Sequence, residues 1–144
     1  MSSENPLAAL IPHQGGMCLH ERVLYWNEER LTLASTSHRA PDNPLRRNGR
    51  LHAIHLCEYG AQAMAVHAGL RAEERGERAP PGMLVSLRGV TLAVQRIDDL
   101  DGELVTEAEC MLAGADSAQY AFRIRHEGRV LAEGRAAVMM HVPA

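Results

Sequence analysis

Apolar and polar residues alternate along four stretches of the second half of the chain: LVSLRGVTLAVQ (84–95), GELVTEAECMLA (102–113), SAQYAFRIRHEG (117–128) and RVLAEGRAAVMMHV (129–142). A period of two turns one set of side chains to a core and the other to water. The stretches therefore predict four successive antiparallel strands, joined at DDLDG, GADS and HEGR turns. Two further β-prone runs, MCLHERVLYW (17–26) and residues 31–36, flank the turn Asn27-Glu28-Glu29 and predict a hairpin. Between the two groups the period changes. In LHAIHLCEYGAQAMAVHAGL (51–70), Leu51, Ile54, Cys57, Ala61, Met64, Ala65 and Ala68 recur at spacings of mostly three and four, which predicts one long helix. Leu56, Ala63 and Val66 carry apolar character onto its other faces, so the helix is expected to be enclosed on most sides. The pattern as a whole reads as an α+β fold, a curved antiparallel sheet wrapped around a central helix.

The connections are legible from their punctuation. Leu7–Leu10 reads as one apolar turn ending at Pro12, with a flexible HQGG loop after it. HRAPDNPLRRNGR (38–50), with two prolines, a glycine, two asparagines and four arginines, is expected to hold no regular element. RAEERGERAPPG (71–82) reads as a solvated connection. A length of 144 residues, 46% of them hydrophobic, suits one domain spanning 1–144. No apolar run approaches the roughly 20 residues of a membrane span, and the start lacks the marks of a secretory signal, so a cytoplasmic protein without membrane attachment is expected.

Charge and cysteine content narrow the function classes. Fifteen basic against eighteen acidic residues give a net charge of -3, and one Phe, one Trp and three Tyr leave little for bases to stack on. Nucleic-acid binding is thereby disfavoured. Cys18, Cys57 and Cys110 contain no C-x-x-C pair and are expected as buried thiols. No nucleophile elbow, Walker loop, dinucleotide fingerprint or H-E-x-x-H helix occurs.

The candidate chemistry rests on histidines and carboxylates. His52, His55 and Glu58 follow one another at three-residue spacing on the predicted helix, where a His–Glu pair could do general acid/base work. As a metal set they drift around the helix and are poorly placed together. Glu58 is a costly residue for an Ala-rich helix to bury, so it calls for a function or for an ion pair with Arg46, Arg47 or Arg50. His38 opens the proline-rich loop directly after a strand; it reads either as a site residue or as a solvent-exposed loop histidine. His13, His20, His67, His126 and His141 read as surface or packing residues.

Three stretches taken in order resemble the hot-dog fold dehydratases that act on 3-hydroxyacyl chains carried on acyl carrier protein. IPHQGGMCLHERVLYWNEE is similar to the family's opening loop and strand. SHRAPDNPL followed by HLCEYGAQAMAVHAG is similar to its His loop with an Asn-Pro step and the Glu-x-x-Ala-Gln start of its helix. VTLAVQRIDDLDGEL and RVLAEGRAAVMM resemble its later strands. Within that family the chain looks like the ApeP-like branch associated with aryl polyene pigments.

The resemblance implies a single hot-dog domain and a catalytic pair of His38 and Glu58, with Gln62 as the glutamine following the acid. It implies that the histidine and the acid of one site come from different subunits, so that the partner is a second copy or a related hot-dog subunit. The substrate implied is an acyl carrier protein or acyl-CoA thioester, with no metal or other cofactor. His38 would take the C2 proton, Glu58 would help the C3 hydroxyl leave, and the helix start would polarise the carbonyl. Arg39, Arg46, Arg47 and Arg50 would form a basic rim for a phosphopantetheine phosphate or an acidic carrier. The His loop is one residue longer than the family's, and His52-Ala53 stands where Met-Pro-Gly usually does. These departures keep His55 open as the base. They also keep open two other functions, a hot-dog thioesterase and a silent acyl-binding subunit that pairs with an active dehydratase.

Overall fold

The computed structural model describes residues 18–77, 82–114 and 116–140. The expected apolar turn at 7–10, the HQGG loop, His13 and His141 lie outside them. Six strands, β1 (Arg22–Trp26), β2 (Arg30–Ser35), β3 (Gly82–Leu92), β4 (Leu104–Ala113), β5 (Ser117–His126) and β6 (Arg129–Met140), form one sheet in the order β1-β2-β4-β5-β6-β3. Every pairing is antiparallel. The single long helix, α1 (Leu56–Glu74), packs on β4 and β5, with smaller contacts to β2 and β6. This is the hot-dog arrangement, and the α+β expectation holds.

Alternation does the work foreseen in the sequence. Along β5, Ala118, Tyr120, Phe122 and Ile124 are buried while Gln119 and Arg123 face water. Register shifts between Arg88 and Thr91, Cys110 and Leu112, and Ile124 and Arg125 interrupt the ladders. Such bulges bend strands and let the sheet curve round the helix. Phe122 lies between two glycines. A Cβ placed on Gly60 of α1 would stand 2.6 Å from its ring, and one on Gly134 of β6 would stand 3.0 Å from it. Helix and sheet therefore meet more closely here than alanine allows.

Several boundaries differ from the sequence reading. The helix begins at Leu56, not Leu51, because Leu51 is tied into a β-like contact: its N–H donates to Asp98 Oδ1 (2.8 Å) and its carbonyl accepts from Ile97 (2.9 Å). His52 is extended (ψ 144°) and caps a short 3-10 turn, Ala53–His55, by accepting from Ile54 N–H at 3.0 Å. At the other end α1 runs on to Glu74, since Ala72 is buried and Gly76 (φ 71°) supplies the left-handed residue after it. Residues 18–20 are buried but precede the strand, which starts at Arg22. The 38–50 loop also holds more order than its composition promised. A 3-10 turn, Ser37–Arg39, opens it, and Asn48-Gly49, both at positive φ, close a two-residue turn between Arg47 and Arg50. Of the cysteines, Cys18 is buried, Cys57 and Cys110 are half-buried, and all three are free.

Candidate active site

His38 follows β2 in the 3-10 turn and is fully buried, which removes the reading of a solvent-exposed loop histidine. Its Nε2 lies 2.9 Å from the carbonyl of Leu100. A carbonyl only accepts, so Nε2 carries the hydrogen and Nδ1 keeps its lone pair. That Nδ1 is buried and has no hydrogen-bond partner among the described residues. Burial pushes the imidazole below its ordinary pKa; the Leu100 bond opposes this, and the positive charge of His126, Arg39 and Arg46 adds to it. The group is thus a neutral, desolvated acceptor of protons.

Glu58 sits in the first turn of α1, half-buried. Gln62, one turn on, donates to its Oε1 at 3.2 Å, and accepts the Leu19 N–H at 2.8 Å through its own Oε1. The glutamine thereby orients the acid and anchors the buried 18–20 segment. The loop arginines point elsewhere: Arg46 donates to the carbonyls of Gly49 (2.8 Å) and His38 (3.1 Å), and Arg47 to that of its neighbour Arg46 (2.8 Å).

No hydrogen bond joins His38 to Glu58 within the chain, but their neighbours are tied together. Tyr59 Oη lies 2.7 Å from Ser37 Oγ, and Ser37 donates on to the Leu19 carbonyl at 2.7 Å. Asn43 closes the loop by donating to the Ser37 carbonyl (2.9 Å) and accepting from Leu45 N–H (2.9 Å). His20 Nε2 donates to the Tyr59 carbonyl at 2.7 Å, with its ring edge-on to the phenol. Burial lowers His20 to about 4 and raises the Tyr59 phenol to about 12. This is a buried, hydrogen-bonded scaffold holding the start of α1 against the His loop.

Two clefts flank it. One, of about 480 Å³, is lined by Glu21, Thr36, Ser37, Arg39, Ala40 and Gly102. The other, of about 230 Å³, lies at the start of α1 and includes Arg47, Arg50, His52, His55 and Arg96. Neither His38 nor Glu58 lines either cleft. His55 lines the second cleft, and His38 does not. Burial, His52 and Arg47 lower its pKa, against the pull of Glu58.

The model of the ApeP-like family, described as ApeP dehydratase, matches residues 5–142. The chain belongs to the ApeP-like dehydratase family. Its structure is also similar to that of the dehydratase heterocomplex ApeI:P from Xenorhabdus doucetiae, at a TM-score of 0.86 and 25% identity over 95% of this chain and 91% of that one. AziG from S. sahachiroi shares the fold at a TM-score of 0.59 and 17% identity, covering 86% of this chain and 91% of that chain. A hypothetical thioesterase from Streptococcus pneumoniae TIGR4, solved with coenzyme A, does so at 0.58 and 13%, covering 83% and 84%. No curated protein matches the sequence. Among the described residues of this dehydratase, no helix is long and apolar enough to cross a membrane.

Sequence reasoning missed Ser37, Tyr59 and the Leu100 carbonyl as supports of the site. Tyr59 and Ser37 each stand beside a named candidate, and that adjacency was the available signal. The Leu100 carbonyl carries no side-chain signal at all. It becomes a partner of His38 only when the chain folds back across 62 residues.

Proposed function

We propose that the chain acts in a two-subunit dehydratase that removes water from a 3-hydroxyacyl thioester, giving the trans-2-enoyl thioester, with an acyl carrier protein as the carrier and aryl polyene synthesis as the setting. The observation that carries this reading is the state of His38, a buried imidazole fixed as the Nε2–H tautomer with a lone pair left on Nδ1, within a chain of a dehydratase family. Nδ1 takes the C2 proton. The C2 electron pair forms the C2–C3 double bond as the C3–O bond breaks, and Glu58 gives its proton to the departing hydroxyl, which leaves as water. The proton on His38 then passes back to the carboxylate. N–H groups in the first turn of α1 face the developing thioester oxyanion.

Two copies or two related subunits supply the site. Strand β3 is an eleven-residue edge bonded, among the described residues, only to β6, a template on which a second hot-dog sheet can extend. A heterocomplex is what the ApeI:P structure contains, and pairing with a related subunit is the form we favour. One observation also supports the silent-subunit reading: His38 is wholly enclosed and lines neither cleft.

The test is intact-mass analysis of a 3-hydroxyacyl carrier-protein thioester incubated with the chain, alone and with a related hot-dog subunit, beside His38→Ala and Glu58→Ala. Loss of water abolished in both folded variants establishes the dehydration and its two residues. Release of free thiol instead would make the protein a thioesterase. Full activity of both variants in the presence of the related subunit would assign the chain the silent role.

A further inference from the structure

On the solvent face of the sheet, charges are paired by sign except at one edge. The row that crosses the strands at Arg30, Glu109, Ala121, Arg135 and Arg88 begins with an ion pair, Arg30 to Glu109 at 3.1 Å. The next row sets Glu107, Arg123 and Glu133 side by side; Arg123 bonds to Glu133 at 3.1 Å, and Glu107 to Arg125 at 2.5 Å. Where the first row reaches the edge, Arg135 of β6 stands directly opposite Arg88 of β3. Both are exposed, and neither side chain has a hydrogen bond or ion pair among the described residues. Directly opposed residues hold their Cβ atoms about 4.5–5.5 Å apart, a spacing at which like charges destabilise a sheet and opposite charges stabilise it. The fold therefore carries a repulsion here that a carboxylate at either position would remove.

This repulsion lies where another sheet would join. The ladder of β3 on β6 is regular through Ser86, Leu87 and Arg88, and it slips beyond Arg88, where Gly89 (φ 62°) follows. A second copy laid antiparallel on that regular stretch, centred on Leu87, would bring the two Arg88 side chains onto one face as diagonal neighbours about 7–8 Å apart, with an Arg135 beside each. Four guanidinium groups would then crowd together. Glu133, two residues from Arg135 on the same face, is already bonded to Arg123.

We infer that Arg88 and Arg135 select the subunit that joins this edge: they turn away a second copy of this chain and accept a related hot-dog subunit with Asp or Glu on the solvent face of its own edge strand. The inference rests on the edge-to-edge pairing proposed above. Backbone hydrogen bonds along an edge are alike for any strand and supply affinity without choice; the side-chain charges supply the choice.

The probe for an acidic edge is this chain with its charges reversed, Arg88→Glu/Arg135→Glu. Native mass spectrometry of the wild type, this variant and their equal mixture counts the pairs at about 0.05 M and about 0.5 M salt. We expect mixed pairs to outnumber the two kinds of like pair together by about fivefold or more at low salt, against equal numbers at random, with the excess shrinking at high salt. Equal numbers at both salt concentrations would overturn the selection and leave edge pairing intact. No pairs of any kind, even in the mixture, would also overturn it and leave the two arginines as guards of a bare edge. Arg88→Gln reads the same repulsion without charge reversal: it should self-associate several-fold more tightly than the wild type, and equal association would count against the inference. Hydrogen exchange of the mixed pair locates the contact. Protection of the amides of residues 84–92 is expected, whereas pairs that leave them unprotected would overturn the edge pairing itself.

Discussion

The phenol of Tyr59 lies 2.7 Å from the hydroxyl of Ser37, so the residue after Glu58 is bonded to the residue before His38. No hydrogen bond joins the two proposed catalytic side chains within the chain, yet one between their neighbours ties the His loop to the helix. Removing the phenol oxygen should leave Ser37 with the Leu19 carbonyl and Ser35 as partners and the loop less firmly seated. Tyr59→Phe is expected to cost about 1 kcal/mol of stability and to lower kcat more than it raises KM. Steady-state kinetics alongside denaturant unfolding separates the two effects. An unchanged kcat in a destabilised variant would reduce Tyr59 to a packing role.

If each site draws His38 from one subunit and Glu58 from another copy, two dead variants should repair each other. Co-folding His38→Ala with Glu58→Ala in equal amounts makes half of the dimers mixed, each with one intact site, so about a quarter of wild-type dehydration should return. No recovery would place both residues in one protomer or assign one of them to a different subunit.

Gly60 leaves a Cβ only 2.6 Å from the Phe122 ring. Gly60→Ala must push α1 off β5 or turn the ring toward Gly134, which is itself crowded. A loss of about 1–3 kcal/mol is expected, despite the gain in helix propensity. Adding Phe122→Leu should recover part of it, and urea unfolding of the single and double variants reads the coupling.

Stability should fall on mild acidification. His20 titrates near 4 in the folded chain against 6.5 ordinarily, because burial disfavours its charged form. The unfolded chain therefore binds the proton first. The folded state is unaffected above about pH 6.5 and loses stability as pH falls toward 4, by up to about 1.4 kcal/mol per unit. Burial lowers His38 and His67 in the same sense. Asp98, held below the usual carboxylate range by Arg96, adds its own loss only below about 3.8. Denaturant midpoints between pH 7.5 and 4.5 should decline, and His20→Gln should flatten the profile.

The alternating runs fixed six strands and the three-and-four spacing fixed one helix, because period and burial are properties that neighbouring residues share. The order of motifs singled out His38, Glu58 and Gln62 for the same reason: each belongs to a short local pattern. Other features had to await the folded chain. The start of α1 depends on Asp98, 47 residues from Leu51, and the tautomer of His38 depends on a backbone carbonyl that no side chain advertises. The pairing of His52 with Arg96 likewise exists only once the segment before the helix lies against the chain that follows β3. Such contacts join residues that are remote along the chain, and their energies come from bonds and desolvation that exist only after folding. Sequence by itself determined the elements and the candidate residues; tertiary structure decided which atoms face each other and in what chemical state, because hydrogen bonding and burial are set by neighbours in space.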